Sequence, residues 1–159
     1  MDGVNKLQID ERRALSVAEL QARLEATVTK AVRGRRAVPP PLRWTPVPFG
    51  PPIGWKPLSY LLHMGFTRDT WMHRIDLSGA TQREPALSAD HDARIVADIV
   101  AEWARRHQRP FTLALGGHAG GIYRQGTGGE NIDIDAVEFC RILSGRGTGV
   151  GLLQHKLPL

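Results

Sequence analysis

Asp69 and His73 are the residues whose types and spacing best suit metal chemistry. They stand four residues apart in the run Arg68-Asp69-Thr70-Trp71-Met72-His73-Arg74-Ile75-Asp76. On a helix both side chains would project from one face, as they do when a helix gives two ligands to one metal ion. Asp76 shares that face and could orient His73 through the free ring nitrogen. The same spacing is also typical of a surface ion pair with nothing bound.

Arg146 is a candidate for binding a substrate carboxylate, because its guanidinium group presents paired N–H donors that suit a carboxylate. It follows Gly145, which ends a predicted helix. The alternative is an ordinary surface arginine that caps this helix. His118, between two glycine pairs, indicates a turn more than a ligand. Cys140 sits among apolar residues and is expected to be a small buried side chain.

The composition predicts a globular chain of one ordinary domain or two small ones. No apolar run is long enough for a membrane helix, and the N-terminus lacks the pattern of a signal peptide. A single cysteine excludes an internal disulfide and favours a reducing cytoplasm. The net charge of +5 raises the question of nucleic acid, but the tight basic run at Lys30, Arg33, Arg35 and Arg36 is more typical of a solvated helix end.

Helical periodicity dominates the first two-thirds of the chain. We predict helices over about 2–13, over 17–33 with a capping box of Ser16 and Glu19, from Pro57 to the Ser78-Gly79 pair, and between Ser88 and Pro110. Between the second and third, residues 37–57 hold eight prolines and predict a long extended connection.

The hydrophobic pattern changes from helical to strand-like periodicity after residue 108. Strands are predicted over 111–115, 121–125 and 150–157, with a helix that begins at Asp135. This order is β-β-α-β. We therefore predict an α+β protein with a domain boundary near residue 108.

Four segments, listed here, carry a resemblance to a known family: Arg68 to Asp76, His91 to Asp98, Asp135 to Arg146, and Gly151-Leu152-Leu153. In this order they resemble the mycothiol-dependent, maleylpyruvate-isomerase-like enzymes of actinobacteria. The resemblance implies a partial DinB-like helix bundle over 1–108 and a small, sterol-carrier-like α/β cap over 109–159. It also implies a divalent metal, with zinc expected, held in part by Asp69 and His73.

One departure from the family concerns the third metal ligand. The family's early-helix histidine would precede Met1, so the chain looks short at its N-terminus. His63 does not replace it easily, since offsets of six and ten residues place it elsewhere around the helix. A third ligand would come from another chain or from missing sequence, or the site would be empty or weak.

The expected function follows from that resemblance. It is a metal- and mycothiol-dependent isomerase or thiol transferase acting on a small electrophile. The alternative is a non-catalytic module, with a degraded metal site, that binds a ligand or partner. Because a shortened bundle would expose an apolar groove, we also expect a homodimer. Neither a membrane nor nucleic acid is an expected partner.

Overall fold

The computed structural model describes residues 2–50 and 53–157, and it has the α+β composition predicted. The chain divides into two compact units, Met1–Thr45 and Pro46–Leu159. We call them the N-terminal unit and the C-terminal unit and describe each by itself. None of the helices in the described ranges is both long enough and apolar enough to span a membrane.

The N-terminal unit is entirely helical where it is described. Its helices are α1 (Asp2–Arg12), α2 (Val17–Ala37) and the single turn α3 (Pro40–Arg43). The predicted capping box is confirmed, because the Glu19 amide donates to Ser16 Oγ at 3.3 Å and the Ser16 amide donates to Glu19 Oε2 at 2.8 Å. No side chain described in this unit is buried.

The proline-rich stretch is more structured than predicted. It contains α3 and a small hairpin of β1 (Pro46–Pro48) and β2 (Trp55–Pro57), which pair antiparallel. Prolines are tolerated in α3 because the first turn of a helix needs no amide donors. Residues 51 and 52, part of the predicted connection, lie outside the described residues.

The helices of the C-terminal unit start later than predicted. Pro57 belongs to β2, and the chain passes through a π-helical turn (Tyr60–Gly65) into α4 (Phe66–Thr81). The helix predicted after Ser88 is confirmed as α5 (Asp92–His107). The buried residues of α4 are Arg68, Trp71, Met72 and Ile75.

A three-stranded sheet and one helix follow. Their bounds are β3 (Phe111–Gly116), β4 (Gly121–Gln125), β5 (Glu130–Asp135) and α6 (Ala136–Leu143). The strand order is β4-β3-β5, with β4 antiparallel and β5 parallel to β3.

The predicted β-β-α-β order is therefore wrong, because the third strand precedes the helix. The strand predicted over 150–157 is also wrong. Gly151–Gln154 forms a 3-10 helix, in which the neighbours Leu152 and Leu153 are both buried. Two adjacent buried leucines do not fit the alternation of a strand.

One hydrophobic core crosses the boundary predicted near residue 108. Trp103 of α5 is fully buried and packs against Phe111 of β3 and Phe139 of α6, with ring centroids 4.9 and 5.4 Å apart. The core also includes residues of α4. The change of periodicity at 108 thus marks a change of secondary structure, and the structure divides after Thr45 instead.

Candidate functional site

Asp69 and His73 lie side by side on the outer surface of α4. The distance from His73 Nε2 to Asp69 Oδ1 is 3.6 Å, which confirms that the two side chains share one helix face. Their exposed fractions are 65% for His73 and 58% for Asp69. Because the opposite face of α4 is buried in the core, these polar residues are directed to the surface. Metal binding by the pair stays a prediction.

The donor set suits a metal ion only in part. One carboxylate oxygen and one imidazole nitrogen are good ligands, but protein zinc sites use three or four. Within residues 2–50 and 53–157, no group of three or more His, Cys, Asp or Glu side chains could hold a metal ion. His63 does not join the pair, since it lines a pocket shared with α5. The described residues alone therefore do not complete a metal site.

Asp76 was predicted to orient His73, and its carboxylate does lie nearby. The distance from His73 Nδ1 to Asp76 Oδ2 is 3.8 Å, which is too long for a hydrogen bond. The Asp76 carboxylate instead accepts from Arg146, with Nε 2.9 Å from Oδ1 and Nη2 2.8 Å from Oδ2. In this arrangement Asp76 is held by Arg146 and forms no hydrogen bond with the imidazole of His73, which lies between the carboxylates of Asp69 and Asp76.

Arg146 is placed by the end of α6. Gly145 has a φ of +85°, a left-handed conformation that glycine adopts without strain, and the Arg146 amide donates to the Arg141 carbonyl at 2.8 Å. The backbone of Arg146, and not its side chain, thus caps α6. Its guanidinium joins α6 to α4 through Asp76. Asp76 occupies the Nε–Nη2 edge of the fork in this structure, and the role of Arg146 in binding a substrate carboxylate stays a prediction.

A cavity of about 700 Å³ opens beside this cluster. It lies among the C-terminal part of α4, residues 82–85 and α6, and Asp76 and Arg141 contribute its charged groups together with Arg83 and Glu84. The Arg141 side chain is 36% exposed, with Nε 3.3 Å from Glu138 Oε2 and Nη1 3.9 Å from Asp76 Oδ1. Sequence reasoning missed Arg141, because the cavity that it lines together with Val137 forms only where α6 lies beside α4.

Buried polar contacts hold α4 against α5 beneath the candidate site. The Asp92 carboxylate, 1% exposed as a residue, accepts from Trp71 Nε1 at 2.8 Å, from Arg74, and from the Ser88 amide at 2.6 Å. Burial alone would raise the pKa of Asp92, but these hydrogen bonds outweigh it and lower the pKa.

A second buried cluster centres on Arg68. Its guanidinium donates to Asp98 Oδ2 at 2.6 Å and to Glu102, while Tyr60 Oη donates to Glu102 Oε1 at 3.0 Å. Burial would raise the pKa of Glu102, yet the hydrogen bonds from Arg68 and Arg106 keep it below its ordinary value. Each carboxylate in the cluster therefore has a cationic partner.

Cys140 agrees with the expectation of a structural role. It is fully buried in the core, and desolvation raises the pKa of its thiol to about 12. A thiol with that pKa carries almost no thiolate at neutral pH, so Cys140 is not a nucleophile.

Comparison with known proteins returned no match to this chain among family models, curated proteins or solved structures.

Proposed function

We propose that this chain belongs to a metal- and mycothiol-dependent isomerase or thiol transferase that acts on a small electrophile. The observation that carries the proposal is the pairing of Asp69 Oδ1 and His73 Nε2 from adjacent turns of α4, 3.6 Å apart. The sequence resemblance to mycothiol-dependent enzymes supports the same reaction class.

Asp69 and His73 would supply two ligands to a divalent cation, for which zinc is the expected metal. A further ligand would come from another chain or from missing sequence. A bound divalent cation lowers the pKa of a coordinated thiol, which would make mycothiol a nucleophile at neutral pH.

The cavity of about 700 Å³ beside Asp76 is of a size that accommodates a small molecule. Arg141 is the better candidate for a substrate carboxylate, because it lines this cavity and remains partly exposed. Arg146 would act as a positioning residue that fixes Asp76 at the cavity edge.

Metal binding tests the proposal most directly. Zinc affinity should be measured by equilibrium dialysis and elemental analysis for the wild type, Asp69→Ala and His73→Ala. The matched control is His118→Ala, an exposed histidine in the turn between β3 and β4. We expect stoichiometric zinc in the wild type and the control, and a loss of about tenfold or more in each α4 variant. Equal zinc affinity in all four proteins would overturn the proposed site.

Activity provides the second test. Zinc-loaded protein should accelerate a mycothiol-dependent change in maleylpyruvate, followed by absorbance, and the rate should require Asp69 and His73. Arg141→Lys should mainly raise KM, since the lysine keeps the charge and loses the fork. A mycothiol-independent rate, or one insensitive to both α4 variants, would contradict the reaction class.

The alternative function is a non-catalytic module that binds a ligand or a partner. It is favoured by the exposure of Asp69 and His73, neither of which lines the cavity beside Asp76 or the pocket that contains His63. Absence of zinc binding in the full chain, together with ligand binding in the cavity beside Asp76, would support this alternative.

A further inference from the structure

A second cavity lies between the π-helical turn, α4 and α5. Its volume is about 300 Å³, and His63, Thr67, Arg68, His91, Arg94 and Asp98 provide its polar lining. Neither Asp69 nor His73 lines this cavity. Any role for it is therefore separate from the proposed metal site.

The lining is biased toward positive charge. Asp98 is its one acidic residue among the described residues, and Asp98 Oδ2 already accepts from Arg68 Nη2 at 2.6 Å. The Arg68 side chain is 2% exposed and is also paired with Glu102, so it is fixed in place. Because Asp98 is neutralised by Arg68, it does not compensate the remaining lining groups.

Three other lining groups have no partner. Across residues 2–50 and 53–157, the side chains of His63, His91 and Arg94 accept or donate no hydrogen bond and form no ion pair. His63 comes from the π-helical turn, whereas His91 and Arg94 come from the start of α5. The cavity thus brings two imidazoles and a guanidinium, all exposed to solvent and without a side-chain partner among the described residues, to one open surface.

We propose that this cavity binds a small oxyanion, either a phosphate or a carboxylate. A guanidinium presents paired N–H donors that match both groups, and imidazole nitrogens add single donors. The volume limits the ligand to a few heavy atoms beyond the anionic group. The site does not depend on the proposed function, since it shares no residue with Asp69 and His73.

The test is a titration of the full chain, freed of metal on a chelating resin, with inorganic phosphate and separately with succinate. Ionic strength is held constant with chloride, and binding is followed by amide chemical shifts. We expect saturable binding with shifts at the cavity, and about tenfold weaker binding in Arg94→Gln and in His63→Gln. The matched control is Arg105→Gln, an exposed arginine on the same helix but outside the cavity.

The outcomes separate clearly. Tighter binding of phosphate assigns a phosphorylated ligand, and tighter binding of succinate assigns a carboxylate. An equal loss in Arg105→Gln and Arg94→Gln would show general attraction to a basic surface and overturn the proposal. Absence of saturation at tens of millimolar anion would overturn it as well. Asp69→Ala should bind the anion as the wild type does, whatever its affinity for zinc.

Discussion

The two units of this chain contrast in how their helices are stabilised. α2 has 21 residues and a complete capping box, yet none of its residues is buried. α5 has 16 residues and no side-chain cap, yet eight of them are buried. Leu24 of α2 is 63% exposed, whereas Ile99 of α5 is fully covered. Local signals are therefore enough to form a helix here. Among residues whose burial is described, fully buried side chains occur only in the C-terminal unit, where most helical stability must arise.

The largest effect is expected when one tryptophan in each unit is replaced by alanine. Trp103 is fully buried between Phe111 and Phe139, whereas Trp44 is 75% exposed. We expect Trp103→Ala to lower the free energy of unfolding by about 3–5 kcal/mol, because it removes a large core side chain. Trp44→Ala should change it by less than about 0.5 kcal/mol. Urea unfolding followed by circular dichroism measures both, and similar losses would refute the contrast.

A smaller effect is expected from the buried carboxylate that joins α4 to α5. Asp92→Ala leaves the Trp71 indole N–H and the Ser88 amide without their acceptor, so it should cost about 2–3 kcal/mol. The matched control is Asp90→Ala, which removes an exposed carboxylate two residues away. Equal stability of the two variants in urea would show that Asp92 does not hold the helices together.

Acid should lower the free energy of unfolding, because it protonates the buried carboxylates that join α4 to α5. The pKa of Glu102 is lowered in the folded protein from its ordinary value of 4.5, and that of Asp92 is lowered from 3.8. A carboxylate with a lowered folded-state pKa stabilises fully above its ordinary pKa, and the contribution is lost as the pH falls. Urea unfolding between pH 6 and pH 3 should show this loss. In Glu102→Gln, the free energy of unfolding should fall less steeply with decreasing pH than in the wild type. An unchanged slope would show that Glu102 does not contribute to the acid sensitivity of the fold.

The capping box tests the other side of the contrast. Ser16→Ala should destabilise α2 by about 1 kcal/mol, visible as weaker helical circular dichroism. The urea midpoint of the C-terminal unit should stay unchanged. Gln21→Ala, at an exposed position without a cap contact, is the control. A matching drop in that midpoint would mean that the two units unfold together.

The smallest expected effect on unfolding concerns the exposed apolar residues of α2, one surface on which the predicted homodimer can be tested. Leu24→Glu should leave the unfolding of the C-terminal unit within about 0.5 kcal/mol of wild type. If two copies pair through α2, sedimentation should show a dimer for the wild type and a monomer for this variant. A wild-type monomer at micromolar concentration would contradict the homodimer.

Sequence analysis succeeded where the signal was local. The capping box of α2, the helix ending at His107 and the first two strands of the sheet follow from periodicity and cap residues within one element. β5 was missed because its apolar signal is only Ile132 and Ile134, and its pairing partner β3 is distant in the chain. The boundary near 108 failed for the same reason, since only the folded core shows that Trp103 reaches Phe139.

The candidate site also has one feature that local sequence predicts and others that depend on tertiary packing. The shared face of Asp69 and His73 follows from helical spacing alone. The engagement of Arg146 with Asp76, 70 residues away, depends on how α6 packs against α4 and could not be read from spacing. Arg141 was overlooked for the same reason, because its cavity exists only between elements.

Arg68 adds a constraint on how the neighbouring Asp69 can respond to a ligand. Sliding α4 along α5 by one helical turn, about 5.4 Å, would strand a buried guanidinium away from Asp98 and Glu102. That energetic cost opposes a one-turn slide of α4 as a means of adjusting the site. Rotation of the exposed Asp69 and His73 side chains about their own bonds breaks none of these buried ion pairs.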